Sequence, residues 1–191
     1  RVAGMSELRV NEVGDMVLTG AAAMQALADP VRLAMTDRLT RHGAATTDEL
    51  ADATGVPAQA VEEHAEQLAA VGLLKRNGDS WEACGRGIFF EIPEDGEVEV
   101  QQAARALSSA MLLSYEHLPR QWVESTEPGL ELEWARSAGL FNAGMWLTAE
   151  ELRKVQEDLE VLLMPYLQRK EPTPDSRRVR MLAYFLPPKS D

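Results

Sequence analysis

Ten residues between Thr46 and Arg86 are of the types that grip a nucleic-acid duplex: Thr46 and Thr47; Ala58, Gln59, Glu62, Glu63 and His64; and Lys75, Arg76 and Arg86. Hydroxyls and cations donate to phosphate oxygens, a glutamine pairs with the edge of adenine, and a carboxylate accepts from cytosine N4. Each has a plainer reading. Glu62 and Glu63 also suit a solvated acidic face, His64 a structural position, and Lys75 and Arg76 the solubilising of an exposed hairpin. Trp81 reads as packing rather than as a base-stacking platform. Bond-breaking chemistry has no comparable support. The chain holds no nucleophile elbow, Gly-rich phosphate loop, HExxH pair or Cys–His signature, so no enzyme is expected.

The elements that must position these residues can be read from breakers and periodicity. Ala21 to Ala28 is rich in helix formers, and Asp29-Pro30 interrupts it and opens a second helix, since proline fits a first helical turn. Val31, Leu33, Ala34, Met35 and Leu39 recur at helical spacing until Arg41-His42-Gly43 stops them. A third helix opens at Thr46 or Thr47, with Thr47 a plausible N-cap, carries Asp48 and Glu49 in its first turn and ends at Gly55. After Val56-Pro57 a fourth runs from Ala58 to about Val71, with Val61, Ala65, Leu68 and Ala69 on one face. Asn77-Gly78 between two short extended runs predicts a hairpin, and Ile88–Ile92 reads as a strand ended by Pro93.

Glu94-Asp95-Gly96 reads as a linker, dividing the chain into domains at 1–96 and 97–191. The second part opens with a long helical pattern from Glu97 to about Ser125, kinked or ended by Pro119. Leu140–Leu147 reads as extended, and Thr148-x-x-Glu151 is a capping box for a helix striped by Leu152, Val155, Leu159, Leu162, Leu163 and Tyr166. Arg178–Leu186 alternates as a strand does. The fold class expected is therefore mainly α with small β elements (α+β): helix, tight turn, helix and hairpin in the order of a winged helix-turn-helix, then a long helix and a small α/β C-terminal part.

Charge runs against a simple nucleic-acid binder. The net charge is -12, and residues 21–96 hold 13 acids and 6 bases, a net of -7. Pro57 to Gly72 contains no Lys or Arg, whereas backbone affinity comes mainly from cations that replace counterions at phosphates. The single cysteine, Cys84, excludes an internal disulfide and reads as a small buried apolar residue, in keeping with a reducing cytoplasm. His42, His64 and His117 lie far apart, so no metal site and no cofactor are expected. No apolar run is long enough for a membrane span, and Arg1 to Met5 lacks the pattern of a secretory leader.

Ala26-Leu27-Ala28-Asp29-Pro30-Val31-Arg32-Leu33, then Glu49-Leu50-Ala51, Gly55-Val56, Val61, His64, Leu68 and Val71-Gly72-Leu73-Leu74, resemble the winged helix-turn-helix of ArsR-like bacterial repressors. The tail from Trp134 through Leu147–Leu152 to Phe185-Leu186-Pro187 is similar to the C-terminal part of an actinobacterial subgroup. The resemblance implies a cytoplasmic regulator that binds a palindromic operator in double-stranded DNA as a homodimer. The family's metal-sensing branch carries a Cys-x-Cys pair that this chain lacks, so metal sensing is not implied. The family's small polar residue followed by Arg or Lys before the histidine is replaced by Glu62-Glu63.

Trp122, Trp134, Phe141 and Trp146 could line a pocket for a small apolar effector or form a core or dimer interface. Three functions stay open: a dimeric, ligand-responsive DNA-binding regulator, most often a repressor; a winged-helix protein that has lost DNA binding and docks a protein partner; and a small-molecule sensor.

Overall fold

The computed structural model describes residues 8–93, 97–169 and 171–189. The Arg1 to Met5 stretch and the expected linker Glu94-Asp95-Gly96 lie outside the described residues. The chain divides into two units, Arg1–Gly144 and Met145–Asp191. The boundary expected at 96/97 falls inside the first.

In the first unit, β1 (Leu8–Val10) and β2 (Met16–Leu18) form an antiparallel hairpin, and β6 (Ile88–Phe90) adds parallel to β2. The hairpin loop is held by Asn11, whose side-chain oxygen accepts from the N–H of Val13 at 3.1 Å and of Asp15 at 2.8 Å. Met16, Val17 and Leu18 are all buried. This small sheet extends the winged-helix core: β6 falls within the strand expected at Ile88–Ile92, whereas β1 and β2 are too short to show in hydrophobic periodicity.

Helices α1 (Ala21–Leu27), α2 (Pro30–His42), α3 (Thr47–Thr54) and α4 (Ala58–Ala70) follow the expected order. Asp29 caps α2 by accepting from Arg32 N at 3.0 Å, and Pro30 opens its first turn. Thr46, not Thr47, caps α3: its hydroxyl accepts from Glu49 N while Glu49 Oε2 accepts from Thr46 N at 2.8 Å. The cap lies one residue earlier because Thr46 ends β3 (Ala45–Thr46) in extended backbone, as an N-cap requires. Gly55 closes α3 at φ 72°, the left-handed conformation that favours glycine.

The wing is β4 (Leu74–Asn77) and β5 (Ser80–Ala83), and β3 pairs with the other edge of β5. Asn77 pairs with Ser80, so the two loop residues are Gly78 and Asp79, with Gly78 at φ 60°. The core joins Leu27, Leu33, Met35, Leu39, Leu50, Val61, Leu68, Leu73 and Trp81. Helix α5 (Val98–Tyr115) completes it, burying Ala103, Ala104, Leu107 and Ala110 and packing on α1 and α2.

The long helical pattern breaks at Glu116, just before Pro119, which has no N–H to offer the preceding turn. There follow α6 (His117–Gln121), a π turn over Trp122–Thr126, a 3₁₀ turn over Glu127–Gly129 and α7 (Leu132–Ser137). The stretch expected as extended, Leu140–Leu147, runs without a strand partner.

The second unit is built on α8 (Ala149–Leu167), opened by the expected Thr148–Glu151 capping box. Arg178–Leu186 forms no strand there, contrary to its alternation. Alternation supplies a two-faced side-chain pattern, but a strand also needs a neighbouring edge for its N–H and C=O groups. No described helix is long and apolar enough to cross a membrane.

Candidate nucleic-acid interface

Helix α4 is amphipathic in the sense a groove-entering helix requires. Val61, Ala65 and Leu68 are buried, whereas Gln59, Glu63, Glu66, Gln67 and Ala70 face solvent. Ala58 is half-buried at the first position of the helix. The outer face is therefore open, with the wing adjoining through the packing of α4 on β4.

The wing register explains the positions of its cations. Lys75 stands opposite Glu82 and Arg76 opposite Trp81, and successive residues point to opposite faces. Lys75 Nζ lies 3.3 Å from Glu82 Oε2. Hydrogen bonds from Asn77 and Lys75 hold the Glu82 carboxyl below its ordinary range. Arg76 turns the other way, stacks on Trp81 with Cζ 4.3 Å from the ring centroid, and forms an ion pair with Glu62. Trp81 itself is buried, as its packing role requires.

Glu62 is thus half-buried and already engaged by neighbouring donors. Its Oε2 accepts from Thr47 Oγ1 at 2.9 Å and from Trp81 Nε1 at 3.3 Å. Glu63 remains exposed and accepts from Gln59 Nε2 at 3.2 Å, one helical turn away. Thr46 is committed to its cap, so of the two threonine hydroxyls it is Thr47's that points across to α4.

His64 and Gln67 meet Arg32, which crosses from α2. Its Nη1 donates to Gln67 Oε1 at 2.7 Å and lies 3.3 Å from His64 Nδ1, and its Nε donates to the carbonyl of Ala26. Arg32 was not among the candidates from sequence. Its place in the stretch Asp29-Pro30-Val31-Arg32 was the available signal.

Arg86 sits in the loop after β5, exposed, against the β1–β2 loop. Its N–H donates to the Gly14 carbonyl at 2.7 Å, and its charge partly offsets the burial that pushes the Asp15 carboxyl up. Burial likewise pushes the Cys84 thiol up, away from the reactive thiolate form.

The four aromatic residues of the second half are less enclosed. Trp122 and Trp134 are half-buried in the π turn and α7, and Phe141 is 92% exposed. Trp146, in the second unit, is fully exposed.

A helix-turn-helix domain family matches residues 27–77, from the end of α1 through β4. The match covers the elements that carry Glu62, His64 and Arg76, and it supports a helix-turn-helix DNA-binding transcription regulator. No curated protein matches the chain.

Proposed function

We propose that the chain is a repressor of the ArsR-like kind, acting in the cytoplasm, that binds double-stranded DNA as a homodimer. Residues 1–96 form its DNA-binding domain, and residues 97–191 its dimerisation and effector domain. The observation that carries the reading is the open outer face of α4, with Gln59, Glu63 and Gln67 in solvent and the wing adjoining. A major groove admits such a helix, and the Thr47 hydroxyl at the start of α3 and the cations of the wing flank it, as phosphate contacts would. Dimerisation draws support from the large apolar side chains that the second half leaves exposed, Leu112 at 50% and Leu113 at 66% among them. Response to a small apolar effector belongs to the same reading.

The test is duplex binding by fluorescence anisotropy at rising salt. A DNA binder loses affinity along a straight line in log K against log salt. Absence of binding at low salt, or binding indifferent to salt, contradicts the proposal.

One observation favours a second reading. The wing cations beside α4 are already paired, Arg76 with Glu62 and Lys75 with Glu82, and Glu63 and Glu66 stand exposed on the outer face, where Arg32 reaches only Gln67 and His64 at the edge. Such a surface suits the basic face of a protein partner, and it gains if the duplex titration is flat.

A further inference from the structure

Donors from three separate elements converge on the Glu62 carboxylate. Thr47 Oγ1, at the start of α3, reaches Oε2 at 2.9 Å. Trp81 Nε1, from β5, reaches the same oxygen at 3.3 Å. The Arg76 guanidinium, from β4, pairs with Oε1 and is steadied by its stacking on Trp81. A hydroxyl, a ring N–H and a guanidinium around two oxygens of one anionic centre form the donor set that proteins offer to backbone phosphates. The cluster stands where α3, α4 and the wing meet. It is not sealed: the Glu62 and Arg76 side chains are 34% and 45% exposed.

The geometry points to a phosphate site built from Thr47, Arg76 and Trp81, which the Glu62 carboxylate occupies in the free protein as an internal stand-in for a DNA phosphodiester. The inference rests on the DNA-binding reading above and adds to it a latch. Duplex binding proceeds by exchange: the Glu62 side chain rotates away, and a phosphate oxygen accepts the hydrogens it released. The exchange must be acceptor for acceptor, because the Trp81 ring is buried at 3% exposure and its N–H, if left without a partner, is a costly orphan. One anion replaces another at the site, so Arg76 adds little net affinity in the wild type. This accounts for a glutamate being tolerated on a helix that meets a polyanion.

Glu62→Gln keeps the shape and removes the charge, so it opens the latch without emptying the space. The probe is a short mixed-sequence duplex, titrated by anisotropy into wild type, Glu62→Gln and the double variant Glu62→Gln/Arg76→Gln. Glu62→Gln is expected to bind roughly tenfold tighter than wild type, the scale of one charge-assisted contact, with a salt slope steeper by about one. The double variant is expected to lose that gain. Tighter binding cannot come from misfolding. Should Glu62→Gln fail to fold, Glu62→Asp, whose shorter side chain reaches the three donors poorly, is expected to shift affinity in the same direction. Equal or weaker binding by the folded single variant, with wild-type binding intact, overturns the latch and leaves the DNA reading standing. A gain that survives in the double variant overturns the role of Arg76, and the latch with it. No binding by either protein at low salt overturns the DNA reading and the phosphate site together.

Discussion

The Arg76 guanidinium lies 4.3 Å from the centroid of the Trp81 ring, its cross-strand neighbour in the wing. The contact fixes a flexible cation beside α4, because a planar guanidinium stacked on a ring keeps its orientation. Arg76→Glu would replace the cation with a carboxylate facing Glu62 and any approaching phosphate. The variant is expected to lose retention on immobilised duplex while eluting from gel filtration with wild type. Unchanged retention would show that the wing makes no phosphate contact.

Arg32 ties α4 to α2 through Gln67 and His64, and holds to the Ala26 carbonyl as well. A lysine cannot reproduce a fork that serves three acceptors. Arg32→Lys is expected to lower stability in urea by about 1–2 kcal/mol, in line with charge-assisted hydrogen bonds lost in a partly buried place. A loss no greater than that of an exposed arginine such as Arg105, substituted likewise, would contradict this.

Gly85 has no room for a side chain. A Cβ there would stand 2.6 Å from Met16 Cγ and 2.7 Å from the Gly14 carbonyl oxygen, and that backbone cannot yield without disturbing β2. Gly85→Ala is expected to cost about 1–3 kcal/mol, the range of overpacking. Gly129→Ala, with nothing within 4 Å, serves as control. Equal melting temperatures for the two variants would contradict the close packing of the loop on the hairpin.

Much of this arrangement was legible because it rests on local chemistry. Asp29-Pro30, Gly55, Gly72 and Thr148-x-x-Glu151 marked helix ends through caps and breakers that act within one turn. The wing was legible from Asn77-Gly78, although the loop proper is Gly78-Asp79. Of the sheet of β1, β2 and β6, only β6 was legible, inside the run Ile88–Ile92; β1 and β2 are three residues each, and the pairing of β2 with β6 spans some seventy residues of chain. Arg178–Leu186 shows the converse, an alternating run with no ladder among the described residues. The site residues were legible as types, but their partners were not. Glu62 and Arg76 meet only because the wing folds back along α4, a tertiary relation that no spacing rule encodes.

The capping box of α8 gives a pH test. The Thr148 N–H donates to Glu151 Oε2 at 2.7 Å and holds that carboxyl below its ordinary range. A folded pKa below the unfolded one stabilises the helix start above the unfolded value, and the contribution is lost as pH falls through the folded value. The Thr148 amide proton, followed by NMR, is expected to titrate with a midpoint below about 4.3, the model-peptide value for glutamate. Glu151→Gln should abolish the titration. A midpoint at or above the model value would contradict the cap.

In the proposed complex the outer face of α4 enters a duplex groove despite its carboxylates. The most direct measurement is a duplex titration followed by amide shifts in ¹⁵N-labelled protein at low salt. The predicted result is that shifts concentrate on Gln59, Glu63, Glu66 and Gln67, on Thr47, and on the wing from Lys75 to Glu82. Shifts confined to other parts of the chain, or none at saturating duplex, would contradict it.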